Sequence, residues 1–99
     1  MDLNDRIAFE IKHRFYYVEY PDGVPEPLWK DGHGEFQYIS EMSLDHLKAS
    51  VTRIENDLKA FRSSYDHSSE WDELSTALLP LVENKLRDLK DAFSKKARL

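Results

Sequence analysis

From residue 44 onward the apolar positions of this chain keep helical time. Leu44, Leu47, Val51, Ile54, Leu58, Phe61 and Tyr65 are separated by alternating steps of 3 and 4, the a/d rhythm of a packed helical seam. Ser43 stands where a helix N-cap belongs, and Asp45 in the first turn suits the positive end of the helix dipole. The spacing predicts a helix over residues 43–64. "SSYDHSSEWD" then interrupts the rhythm with four serines, and Ser69 can cap a second helix whose first turn carries Glu70, Asp72 and Glu73. Its apolar positions are Trp71, Leu74, Leu78, Leu81 or Val82, Leu86, Leu89 and Phe93. It closes on Lys95, Lys96 and Arg98, the charge that a helix C-terminus favours. The two helices are expected to form an antiparallel hairpin. Pro80 lacks the N–H that a helix interior uses and crowds the preceding turn, so a kink or short break is expected near Leu79.

The first half follows two periods at once. Ile7, Phe9, Ile11, His13, Phe15 and Tyr17 alternate as a strand would, while Leu3, Ile7, Ile11 and Phe15 recur every four residues. Asn4 or Asp2 can cap a short helix over residues 4–13, and a strand there stays open. "RFYYVEY" is aromatic and β-branched and predicts a strand over 14–20. "PDGVPEP" is punctuation. "LWK", a turn at "DGHG" and "EFQYIS" predict a β-hairpin, with Asp-Gly supplying the positive φ of a two-residue turn. The expected fold class is α+β: a small antiparallel β-sheet or hairpin followed by a two-helix antiparallel hairpin. All 99 residues form one domain, β-rich and acidic over 1–42 and helical over 43–99.

Charge sharpens this division. Residues 1–42 hold four basic and nine acidic side chains, whereas 43–99 hold ten of each, so the net charge of −5 resides in the first half. An acidic surface repels phosphate backbones and favours a basic protein partner over direct contact with nucleic acid. The absence of cysteine removes disulfides and thiolate metal sites. Short apolar runs and the acidic start "MDLNDRIAFE" argue against a membrane span or signal peptide and for a cytoplasmic protein.

Chemistry-bearing patterns are sparse. His13, His33, His46 and His67 are scattered without H-x-x-x-H or H-E-x-x-H spacing, so no metal or cofactor is expected. Asp45 and His46 are adjacent on a helix and point apart. A small hydrolase or nuclease using His46 with Asp45 or Glu41 is the enzymatic alternative, although no G-x-S-x-G elbow or phosphate-binding loop occurs. The aromatic residues are the stronger signal, because Tyr and Trp are enriched among binding anchors. Tyr16, Tyr20, Trp29 and Tyr38 are the candidate anchors, and Glu19, Asp22, Glu26, Asp31 and Glu35 form the candidate acidic rim.

Trp29, Asp31-Gly32, Ile39, Glu41-Met42, His46-Leu47, Val51 and Leu58 together resemble a pattern of small accessory proteins from tailed phages and prophages, over residues 27–58. The chain departs from that pattern at Ala49, where the pattern has Asn, and in the length of the "DGHG" turn. No catalytic role is therefore carried onto His46. The resemblance implies a non-enzymatic inhibitor of a host defence or nucleic-acid-processing protein, anti-CRISPR-like, acting in the host cytoplasm by steric and acidic-surface occlusion. The partner is then a host protein. A homodimer or larger oligomer built on the Leu44–Tyr65 seam is the structural alternative.

Overall fold

A computed structural model describes residues 2–19, 23–24 and 27–98. The fold is α+β, a two-stranded antiparallel hairpin set against a closely packed antiparallel helix pair. The chain begins with helix α1 (Leu3–His13), capped by the Asp2 carboxylate, which accepts from the Asp5 N–H at 2.8 Å. The helical period wins over the alternating one here because Leu3, Ile7 and Ile11 share one stripe against the core.

The strand expected over 14–20 does not form. Tyr16–Val18 is a single 3₁₀ turn, closed by the Val18 N–H on the Phe15 carbonyl at 3.1 Å. Phe15 and Tyr17 are both fully buried, their rings meeting edge to face. The aromatic alternation marks two core anchors on a tight turn, not a pleated strand.

Strands β1 (Leu28–Lys30) and β2 (Phe36–Tyr38) pair in the register Leu28↔Tyr38, Trp29↔Gln37 and Lys30↔Phe36. That register leaves Asp31–Glu35 as the connection, longer than the expected two-residue turn. Gly34, not Gly32, takes the positive φ, at +82°. The Asp31 carboxylate holds the turn from inside, accepting from the His33 and Glu35 N–H groups at 2.8 and 3.0 Å. Beyond Tyr38 the chain turns through a 3₁₀ segment, Ile39–Glu41, that ends the strand earlier than "EFQYIS" suggested.

Helix α2 (Leu44–Ser63) starts at the expected cap, with Ser43 Oγ accepting from the His46 N–H at 3.1 Å. Helix α3 (Ser69–Ala97) is capped one residue earlier than expected, by Ser68, whose hydroxyl accepts from the Trp71 N–H. α3 runs through Pro80 without a break; Pro80 is exposed and has no N–H to give the Thr76 carbonyl. With 29 residues, α3 is ~43 Å long at 1.5 Å per residue, which accounts for the 46 Å long axis of the molecule.

The seam of α2 is filled by α3 within the same chain. Leu47, Ile54, Leu58 and Phe61 face Leu74, Leu78, Val82 and Leu89 in one core, while Leu44, Tyr65 and Leu81 are exposed. Of the alternatives Leu81 and Val82, Val82 is the inward residue. No helix among the described residues is long and apolar enough to cross a membrane.

Candidate functional site

Among the described residues, several contacts tie the hairpin and the 3₁₀ turn before it to each other and to the helices. Tyr17 and Trp29 stack nearly parallel, with ring centroids 4.9 Å apart, joining the 3₁₀ turn to β1. The Tyr17 hydroxyl donates to Asp57 on α2 at 2.7 Å, and Asp57 also pairs with Arg53 one turn away at 3.3 Å. Burial, then the bond to Asp57, raises the Tyr17 hydroxyl pKa far above the ordinary phenol value. From α3, Lys85 Nζ donates to the Leu28 carbonyl and Lys96 Nζ to the Met42 carbonyl, so two lysines of one helix fasten the two ends of the hairpin segment.

Lys85 is the residue that the apolar pattern concealed. It is only 4% exposed, and burial lowers its pKa, with Asp88 acting in opposition. Buried positions of α3 run Leu74, Leu78, Val82, Lys85, Leu89, so Lys85 occupies a seam position. A cation at seam spacing was the available signal, because its aliphatic stem can pack while the ammonium finds a carbonyl.

The candidate anchors separate on this framework. Trp29, at 4% exposure, is a core residue and not a surface anchor. Tyr16 is half-buried, edge-on to Tyr17 and covered by the Arg53 guanidinium 5.6 Å from its centroid. Tyr38 is half-buried on β2, and Phe36, outside the candidate anchors, is exposed beside it with Lys30 near its ring. Tyr20, Asp22 and Glu26 lie outside the described residues.

Of the rim, Glu19 pairs with Lys30 at 3.2 Å. Asp31 is kept ionised to lower pH than usual, first by the Glu35 N–H, then by the His33 N–H and the charges of His33 and His46. Glu35, Glu41 and Asp45 are exposed and make no ion pair among the described residues. His46 is half-buried and its imidazole has no carboxylate partner there; its backbone N–H serves the Ser43 cap. Among the described residues no group of three or more His, Asp or Glu converges as metal ligands.

Beside this surface lies an open groove of about 460 Å³ between the 3₁₀ turn Ile39–Glu41 and the last turns of α3. It is lined by the apolar residues Pro27, Ile39, Leu47 and Ala92, and from α3 by Asp88 and Asp91 together with Lys95 and Lys96. Burial raises the pKa of Asp88, Lys85 opposes that shift, Asp91 adds to it, and Arg87 opposes it as well. None of the family models, curated proteins or solved structures compared with this chain matches it significantly.

Proposed function

We propose that this chain is a non-enzymatic, protein-binding accessory protein that covers a basic surface of a nucleic-acid-processing partner. The phage-protein resemblance of residues 27–58 supplies the biological class, an inhibitor of host defence. The observation that carries the binding reading is the acidic surface around the hairpin. Glu35, Glu41 and Asp45 are solvent-exposed without an intramolecular cation among the described residues, and Asp31 is held in its charged form. Carboxylates left unneutralised on one region of a small protein steer a cationic partner and repel phosphate. Exposed Phe36, with Lys30 near its ring, and half-buried Tyr38 supply apolar area on the hairpin.

Charge reversal at Glu35, Glu41 and Asp45 tests this directly. The immobilised wild-type chain should retain a defined host protein from lysate at fixed stoichiometry, and the triple reversal should lose it while melting at the same temperature. Equal retention by both proteins, or no partner retained by the wild type, contradicts the proposal.

A further inference from the structure

A furrow of about 490 Å³ runs between α2 and α3, where the first half of one helix lies beside the end of the other. Val51 and Phe93 form its apolar middle, both half-buried at the margin of the core. Leu44, two turns before Val51 on the same stripe of α2, is 38% exposed. Lys48, Glu55 and Lys90 line the furrow as well. Glu55 pairs with Lys90 across it at 3.7 Å, whereas Lys48 makes no ion pair among the described residues. Lys48 and Glu55 are seven residues apart, so they share a face of α2, and Val51–Thr52 is the midpoint between them. Turning the helix end for end about that midpoint puts the cation where the anion was.

We propose that a second copy of this chain covers the furrow, packed face to face about a two-fold axis that crosses α2 at Val51–Thr52, with α2 antiparallel to its counterpart. Lys48 of each copy then meets Glu55 of the other, and Val51 and Phe93 of both copies come together near the axis. A two-fold contact requires this self-complementarity, because every pair across it is made twice. A charge order that inverts about one point on the helix is matched by the same helix reversed. Exposed ion pairs contribute little each, so they set the register while the apolar middle supplies the burial. A face two helices wide and about four turns long measures roughly 20 by 20 Å. About 400 Å² per copy is less than a standard interface, and the dimer is accordingly weak, with Kd on the order of 10–100 µM. The pairing uses the helices alone and is independent of the basic-partner reading.

Sedimentation equilibrium of the full chain from about 5 to about 500 µM tests the pairing. The wild type, 11.7 kDa as a monomer, should approach twice that mass at the upper end. Lys48→Glu sets a carboxylate opposite Glu55 of the other copy, and Glu55→Lys sets an ammonium opposite Lys48. Each change acts twice about the axis, so each variant should dimerise at least about tenfold more weakly. Both positions are exposed, and unchanged thermal unfolding checks that the fold is kept. Mixed in equal amounts, the two variants present two carboxylates to two ammonium groups, and the mixture should regain the wild-type mass at the same total concentration. Damage to either fold could not be repaired by mixing. Single variants that dimerise like the wild type, or a mixture that stays monomeric, overturn the proposal. So does a wild type that is still monomeric at about 500 µM, which would leave the furrow to a different partner.

Discussion

Tyr17→Phe isolates the contact that joins the first half of the chain to α2. Tyr17 is fully buried, and the substitution keeps its ring, its stacking on Trp29 and its edge contact with Phe15. Only the hydroxyl that donates to Asp57 at 2.7 Å is lost. A hydrogen bond to a charged acceptor contributes about 1.5–3 kcal/mol. Asp57 keeps Arg53, and its side chain is 18% exposed, so part of the lost solvation is recovered and the expected cost is about 1–2 kcal/mol. For a domain of this size that lowers Tm by roughly 5–15 °C.

The same hydroxyl sets a pH signature. Its folded pKa is raised, so above the ordinary tyrosine value of about 10 the unfolded chain ionises first and binds fewer protons. Stability from this group is complete below that value and falls as pH rises beyond it, at about 1.4 kcal/mol per pH unit. The Tyr17→Phe variant has no phenol to ionise at this position and so lacks this dependence. The gap between the two proteins should therefore close about one pH unit above the ordinary tyrosine value. Urea unfolding of both proteins from about pH 7 to about pH 11 measures it. A gap below about 0.5 kcal/mol at neutral pH, or one that stays constant into alkali, would mean that the bond to Asp57 does not stabilise the fold.

Lys85 acts in the opposite direction. Its pKa is lowered in the fold, so its contribution to stability grows as pH rises toward the ordinary lysine value of about 10.4. Lys85→Met should remove that rise and cost about 1–3 kcal/mol through the unsatisfied Leu28 carbonyl, and Lys85→Ala should cost more because the stem is lost as well; denaturant melts at neutral pH and near the ordinary lysine pKa check both. Pro80→Ala should stabilise the protein by about 1–3 kcal/mol, since it restores the bond to the Thr76 carbonyl at an exposed helical site. A lower Tm for that variant would mean that the packing of α3 requires the proline.

The helical half was legible because its information is periodic. The 3-4 spacing placed Leu47, Ile54, Leu58 and Phe61 inward, and the serine caps fixed both helix starts to within one residue. The first half was harder for a physical reason. Phe15 and Tyr17 are spaced like strand residues, but burial of alternate rings is also what a tight turn achieves when no neighbouring strand supplies a ladder. The hairpin was visible from "LWK" and "EFQYIS", whereas its loop depended on which glycine took the positive φ. Trp29 looked like an anchor because large aromatic rings serve interfaces and cores alike, and only its burial in the folded chain decides between them. The groove left no local trace, since Ile39 and Asp88 meet only after the chain folds back.

If the acidic side chains around the hairpin bring this protein to a basic partner, the association rate of the retained partner depends on ionic strength. Electrostatic steering predicts that kon falls on the order of tenfold or more as salt rises from low to physiological levels. The Glu35, Glu41 and Asp45 reversal should bring the rate down to that screened value at every salt concentration, or below it at low salt. A wild-type rate that is insensitive to salt, or a reversal variant that associates as fast as the wild type, rules out electrostatic steering by these carboxylates.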